Sequence, residues 1–152
     1  MLNRRELLVM CGLWAAAGFP VSGLLKPAHA KPRDAKERIA ELTGGAELQK
    51  GRINITLPKV TDQGRFVPIR VSVDSPMTDS DHVRAIHIVA ERNPTPEVAS
   101  FRLSAANGKA QVSTRIRMLQ TQVIIVAAEM SDGSVYLAKG RSKITGGAGG
   151  CG

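Results

Sequence analysis

The sequence has few cysteines and few aromatic residues. It contains 2 Cys among 152 residues, and aromatic residues make up 3% of the chain. Two cysteines are too few for a disulfide-dense scaffold, and they exclude any zinc or iron–sulfur centre that needs four thiolates. The hydrophobic and charged fractions, 43% and 22%, are ordinary for a globular domain, so a wholly disordered chain is excluded as well.

Residues 31–152 also lack the short motifs that mark common catalytic and nucleotide-binding sites. No glycine-rich nucleotide loop, HExxH, GxSxG or CxxC occurs there. The segment has two histidines, and neither has a second ligand at metal-binding spacing. We therefore interpret His87 as a packed histidine, with a metal ligand or general base as the alternative, and His82 as a solvated loop residue. The sequence predicts no cofactor and no metal.

The first thirty residues have the three parts of an export signal. Arg4 and Arg5 form a basic start, an apolar stretch follows over 7–19, and the small residues of 28–30 form an Ala-x-Ala cleavage site. The Arg-Arg-Glu-Leu-Leu start resembles the twin-arginine consensus. The apolar stretch is short for a membrane span of about 20 residues, so cleavage after Ala30 is favoured over a permanent anchor. We expect a periplasmic protein without a membrane segment after cleavage.

Removal of residues 1–30 changes both the charge and the cysteine count. The formal net charge of the chain is +8, and the signal contains three cations and one acid, which leaves +6 for residues 31–152. Cys11 leaves with the signal, so Cys151 becomes the single thiol. In an oxidising compartment a lone thiol cannot form an internal disulfide, so it is capped, joined to another chain or used in chemistry.

The rest of the chain predicts one short helix followed by strands. Asp34 to Leu42 has apolar residues at helical spacing, with Asp34 as N-cap and Glu37 placed to complete a capping box. From Gly51 onward, apolar residues recur at every second position, as they do in strands. We expect strands near 53–57, 67–73, 83–91, 98–103, 109–119, 121–130, 135–138 and 141–145.

This pattern of short strands and turns predicts an all-β fold, an immunoglobulin-like antiparallel β-sandwich over 31–145 that begins with a short N-terminal helix. The nearly unbroken apolar run 123–128 is typical of a central strand covered on both faces. The residues 131–134 form a turn signal between two strands, and 60–64 is interpreted as an ordinary loop.

The positive charge does not by itself indicate nucleic acid. The basic residues are scattered, and Phe66, Phe101 and Tyr136 are the only aromatic residues after position 30, too few for base stacking. Arg115 and Arg117 share one strand face. We interpret that face, with Arg70 near it, as solvated, and docking of an acidic partner or an anionic substrate is the alternative.

The C-terminal segment 145–152, Thr-Gly-Gly-Ala-Gly-Gly-Cys-Gly, is the most unusual part of the sequence. Glycine has maximal backbone freedom, so residues 146–152 are predicted to form a flexible arm. Its glycines are Gly146, Gly147, Gly149, Gly150 and Gly152. At about 3.3–3.6 Å per residue, the arm gives Cys151 a reach of roughly 20 Å. A thiol on a long, thin arm is typical of a covalent carrier.

Three other interpretations of Cys151 remain. The alternatives are an incidental cysteine on a disordered end, a disulfide tether of a purely structural protein, and the nucleophile of an enzyme. A thiol has an ordinary pKa near 8.5, and no base lies within the arm to activate it, which disfavours the enzyme. We expect a non-catalytic protein whose thiol is activated by a partner.

Several segments resemble the SoxY family, the sulfur-carrier subunits of the periplasmic thiosulfate-oxidising system. The similar segments are the signal, 71–78 (Val-Ser-Val-Asp-Ser-Pro-Met-Thr), 86–94, 113–117, 128–133 and the Gly-rich Cys tail. The family usually ends Gly-Gly-Cys-Gly-Gly, whereas here Gly-Gly-Ala-Gly-Gly precedes Cys151 and one Gly follows it.

The resemblance implies that Cys151 is the covalent sulfur attachment residue. It implies that a haem enzyme loads thiosulfate on this thiol as a thiosulfonate and that a dimanganese enzyme releases sulfate by hydrolysis. In systems that possess one, a molybdenum–haem enzyme oxidises the remaining sulfane. It also implies a heterodimer with a second β-sandwich, SoxZ, which lacks a signal and is exported together with this chain.

Overall fold

The computed structural model describes residues 34–146, which contain one α-helix and nine β-strands. The elements in chain order are α1 (Ala35–Leu42), β1 (Leu48–Gln49), β2 (Ile53–Thr56), β3 (Val60–Thr61), β4 (Val67–Val73), β5 (Val83–Ala90), β6 (Glu97–Arg102), β7 (Gln111–Ile116), β8 (Gln122–Met130) and β9 (Val135–Ile144). A 3-10 turn, Ala105–Asn107, lies between β6 and β7.

The strands form two sheets, and the prediction of an all-β sandwich is confirmed. The larger sheet has the order β1-β9-β8-β5-β6, with β3 also paired to β9, and the smaller sheet has the order β2-β4-β7. The long strands pair antiparallel, whereas the two-residue strands β1 and β3 each pair parallel with one end of β9. β9 is therefore held at both of its ends by short segments from early in the chain.

The main core lies between the two sheets. β4 alternates buried and exposed residues, so that Val67, Ile69 and Val71 point inward. They belong to the same buried cluster as residues of β5 and β8, such as Ile86 and Ile124. Full burial of one such side chain contributes about 1.5–3 kcal/mol, so this layer is the main source of stability.

A second apolar cluster covers the outer face of the larger sheet. Ala35 and Ile39 of α1 are buried there together with Val89, Ile125 and Ala127. β8 is therefore covered on both faces, as its unbroken apolar run predicts. Asp34 is the N-cap of α1, but its carboxylate accepts from the Lys36 amide at 3.0 Å rather than from Glu37, so the hydrogen bonds of the predicted capping box are not those observed.

The sequence prediction of two separate strands over 135–138 and 141–145 is wrong, because β9 runs without a break from Val135 to Ile144. Gly140, which interrupts the apolar pattern, lies within the strand where a Cβ would come 3.3 Å from the side chain of Ile55. Strand glycines often mark such close approaches rather than breaks. Val60–Thr61, predicted as loop, forms β3. Among residues 34–146 no helix is long and apolar enough to cross a membrane.

Candidate functional site: the base of the C-terminal segment

Of the predicted arm, only Gly146 lies within the described residues. Cys151, Gly147, Gly149, Gly150 and Gly152 lie outside them. The structure therefore describes the site through its base, which is the end of β9 and the segments that contact it.

Backbone hydrogen bonds to the segment before and within β3 hold one side of this base. The amide of Lys143 donates to the carbonyl of Lys59 at 2.9 Å, and that of Thr145 donates to the carbonyl of Thr61 at 2.9 Å. The buried hydroxyl of Ser142 donates to the carbonyl of Pro58 at 2.7 Å. These bonds tie the end of β9, and the residue that follows it, to 58–61.

Thr121, just before β8, holds the other side of the base. The amide of Ile144 donates to the Thr121 hydroxyl at 3.0 Å. The Ile144 side chain packs against the main core, so the end of β9 is also anchored by apolar contact. The end of β9 and Thr145 are thus held between Thr61 and Thr121.

Two glycines allow backbones to approach closely at this base. A Cβ on Gly146 would lie 2.1 Å from the carbonyl oxygen of Asp62. A Cβ on the buried Gly64 would lie 2.3 Å from the carbonyl oxygen of Met118 and 2.9 Å from the Cδ1 atom of Ile144. No side chain fits at either position without displacement of backbone. Gly146 therefore has a packing role that its place in a glycine-rich segment did not indicate.

The surface beside the base is basic. Lys139, Arg141 and Lys143 are exposed at every second position of β9. Lys139 and Arg141 are register partners of Ile125 and Val123, which belong to the outer-face cluster, so this row of cations lies on the outer face of the larger sheet. Within residues 34–146, none of the three has a carboxylate partner within 4 Å. We call Lys139, Arg141 and Lys143 the basic row.

His87 lies in the larger sheet, at the end opposite to the base, and is a packed histidine as expected. Its side chain is 8% exposed, its Nδ1 atom is 2.8 Å from the Ser100 hydroxyl, and its Nε2 atom is 3.0 Å from Oε1 of Glu129. The Ser100 hydroxyl donates to Glu97 at 2.6 Å. Each ring nitrogen of His87 is thus within hydrogen-bond distance of a polar side chain.

Glu97 extends this chain of hydrogen bonds to α1. It pairs with the guanidinium of Arg38, which also contacts Glu41 at 2.6 Å. Hydrogen bonds from the Ser100 hydroxyl and then from Arg38 lower the pKa of Glu97, and Glu97 and Glu41 in turn raise the pKa of Arg38. The polar groups on this part of the sheet therefore satisfy one another, which is what a structural role requires.

The other sequence candidates lie apart from the base. His82 is in a loop but is half-buried, with Nδ1 2.9 Å from the Thr78 carbonyl oxygen. Arg70 and Arg115 are exposed on the outer face of the smaller sheet, where Pro68 pairs with Arg115 and Arg70 with Ser113. Arg117 lies beyond the end of β7. Among residues 34–146 no three His, Cys, Asp or Glu side chains form a group that could hold a metal ion.

Comparison with solved structures supports the fold. The chain is similar to a superoxide reductase (neelaredoxin) from Ignicoccus hospitalis, with a TM-score of 0.54 and 15% identity over 62% of this chain and 80% of that chain. It is also similar to a superoxide reductase from Nanoarchaeum equitans, with a TM-score of 0.51 and 12% identity over 63% and 96% of the two chains. At such low identity these likenesses establish the shared sandwich alone.

The sequence comparisons concern the family. No curated protein matches the chain. A family model described as "Sulfur oxidation protein SoxY" matches residues 39–151, a range that includes α1 from Ile39, every strand, the base and Cys151. The match covers well over half of the chain. The chain therefore belongs to the SoxY family of sulfur oxidation proteins.

Proposed function

We propose that this protein is a covalent carrier of sulfur intermediates in thiosulfate oxidation, and that Cys151 is the attachment residue. The observation that carries the proposal is the family match, which extends through the glycine-rich segment and ends at Cys151. Cys151 is the only cysteine after the signal, so no other thiol of residues 31–152 could take this role.

The base of the C-terminal segment supports a carrier. A carrier arm needs a fixed point from which its thiol is presented, because the partner must find the thiol at a predictable place. The bonds of Thr145 to Thr61 and of Ile144 to Thr121 hold that point on both sides. From Gly146 to Cys151, five residues at about 3.3–3.6 Å give a reach of at most roughly 18 Å.

The chemistry at Cys151 balances as two steps. In the first, the thiolate and thiosulfate form an S–S bond, giving the thiosulfonate adduct and releasing two electrons to a haem enzyme. In the second, water cleaves the adduct at its sulfonate sulfur, which releases sulfate and two protons and leaves a persulfide on Cys151. A dimanganese enzyme catalyses this hydrolysis, and in systems that possess one a molybdenum–haem enzyme then oxidises the remaining sulfane. The carrier itself supplies the thiol and no catalytic group.

The partners are a SoxZ-like β-sandwich subunit, which forms a heterodimer with this chain, and the enzymes that act on Cys151. The basic row lies beside the point from which the thiol is presented, so an enzyme with an acidic rim at its entrance would be attracted to this face. The complex acts in the periplasm, which this chain reaches by the twin-arginine route, with cleavage after Ala30. Neither a nucleic acid nor a membrane is part of this function.

Intact mass spectrometry of the protein from cells grown on thiosulfate tests the proposal. We expect the wild-type protein to carry thiosulfonate or persulfide adducts that dithiothreitol removes. The Cys151→Ala variant should have only the unmodified mass. A thiol that stays bare in the wild type during thiosulfate oxidation would refute the carrier, and disulfide-linked dimer as the sole modified form would support a structural tether instead.

A further inference from the structure

A cleft of about 530 Å³ lies on the larger sheet at the end away from the base. Its walls include Arg84, His87, Arg102 and Glu129, and Glu41 at the C-terminal end of α1 closes one side. Nothing in the proposed carrier function uses this cleft, and its two arginines are the feature that indicates a ligand.

A β-bulge directs Arg84 into the cleft. The pairing of β5 with β8 shifts register between Val83, which faces Met130, and Ala85, which faces Glu129. Val83 and Ile86 are both buried in the main core, so the two residues between them lie on the outer face, and both line the cleft. In a regular strand, Arg84 would not share a face with Ala85. Bulges of this kind often redirect a side chain next to a binding or catalytic site.

Arg102 reaches the same cleft from the neighbouring strand. It is the register partner of Ala85 across β5 and β6. Within residues 34–146, the guanidinium groups of Arg84 and Arg102 make no hydrogen bond and have no carboxylate within 4 Å. Two cations therefore face one cleft without an internal partner.

The acidic groups of the cleft are already engaged. Glu129 Oε1 lies 3.0 Å from His87 Nε2, and Glu41 pairs with Arg38 at 2.6 Å. His82, which also lines the cleft, has its Nδ1 atom 2.9 Å from the Thr78 carbonyl oxygen. The cationic donors left over in the cleft are thus the guanidinium groups of Arg84 and Arg102.

The cleft and the base lie at different ends of β8. Gln122 of β8 pairs with Ser142 near the base, whereas Glu129 lies seven residues further along the strand, roughly 23 Å away at about 3.3 Å per residue. Substitutions in the cleft therefore leave the contacts of the base in place.

We propose that this cleft is a non-covalent binding site for a small molecule with a tetrahedral oxyanion group, held by Arg84 and Arg102. The planar guanidinium fork matches two oxygens of such a group, and charge-assisted bonds of this kind are stronger than neutral ones. Sulfate, thiosulfate and phosphate share this chemistry, so all three are suitable probes.

Isothermal titration of the full chain with each of the three anions, at ionic strength held constant with chloride, tests the site. We expect saturable 1:1 binding of at least one anion, and at least a tenfold loss of affinity in Arg84→Gln and in Arg102→Gln, because each substitution removes a charge-assisted contact. The order of the three affinities distinguishes a site for sulfur oxyanions from a site for phosphate. A matched control is Arg70→Gln with Arg115→Gln on the smaller sheet, which should bind as the wild type does.

Absence of saturable binding of all three anions would overturn the proposal, and so would an equal loss of affinity in the control variant, which would indicate general charge attraction. Both cleft arginines are exposed, and unchanged melting curves of the variants check that the fold is kept. Cys151→Ala should bind the anion normally, and the Arg84→Gln, Arg102→Gln double variant should still form the Cys151 adduct. The cleft and the carrier role can therefore fail separately.

Discussion

The two ends of the β8–β9 pair are held together by different kinds of contact. At the base, the contacts are backbone hydrogen bonds, such as that from Thr145 to Thr61, and close approaches at Gly64 and Gly146. At the other end, Glu129, His87 and their neighbours are joined by ionisable side chains. The contacts at the base therefore depend on the volume of the residues that meet there, whereas the contacts at the other end depend on the protonation of the side chains.

This difference matches what the two proposals require of each end. The proposed carrier role requires a base with a fixed position over a wide range of conditions, and backbone hydrogen bonds do not titrate between pH 3 and pH 9. The proposed anion site requires that Arg84 and Arg102 have no internal carboxylate partner, and Glu97 and Glu129 are paired with Arg38 and His87 instead. The comparison predicts that small substitutions affect the base most and that acid affects the other end.

The largest effect is expected for Gly64→Ala. The new methyl group would overlap the Met118 carbonyl and the Ile144 side chain in a buried position, and overpacking of this kind costs about 1–3 kcal/mol. Chemical denaturation should show this loss in the free energy of unfolding. Gly44→Ala is the control, because Gly44 has φ +62° but open space around it, so only the cost of a left-handed Ala, about 1 kcal/mol, is expected. A Gly64 variant as stable as the wild type would show that the base is not tightly packed.

Gly146→Ala should have a smaller and local effect. The methyl group would displace the chain from Asp62 and weaken the neighbouring bond from Thr145 to Thr61, while the core stays intact. We expect the Thr145 amide to exchange with solvent roughly tenfold faster, with global stability unchanged within about 0.5 kcal/mol. Gly140→Ala, on the same strand but facing only side-chain atoms, should leave this exchange rate unaltered. Equal exchange in wild type and Gly146→Ala would contradict a packed base.

The sequence was sufficient to predict the long elements of the sandwich except β9, which the prediction divided into two strands. β4 and β8 were recognised because alternation in one and an apolar run in the other follow directly from burial on one face or on both. β1 and β3 were missed because each has two residues and pairs with β9 across more than 80 positions of sequence. So short a strand has no periodicity, and only tertiary pairing creates it.

The candidate site was predicted in part. The thiol and its glycine-rich segment are visible in the sequence, since composition alone distinguishes them. The packing role of Gly146 is not visible in the sequence. A side chain at this position is excluded by the carbonyl of Asp62, which lies 84 positions earlier. Arg84 was also missed, since the alternation of Val83, Ala85 and His87 suggests a regular strand and hides the bulge that places Arg84 beside Ala85. A charged residue inside an otherwise apolar strand is the signal that could have indicated it.

The smallest effect is expected for Glu97→Gln, and it depends on pH. Hydrogen bonds from Ser100 and Arg38 lower the pKa of Glu97 in the folded protein below its ordinary 4.5. The ionised carboxylate therefore stabilises the fold fully above about pH 4.5, and this contribution is lost as the pH falls below that value towards the folded pKa. At pH 7 we expect the variant to be about 0.5–1 kcal/mol less stable, as for a partly exposed ion pair, and the difference from wild type should shrink towards pH 3. Urea denaturation of both proteins between pH 7 and pH 3 measures that difference. The control is Glu91→Gln, because the Glu91 side chain makes no hydrogen bond or ion pair within residues 34–146. The difference in unfolding free energy between this control and the wild type should stay near zero at every pH. If the difference for Glu97→Gln is equally independent of pH, this end of the sheet is not held by charge.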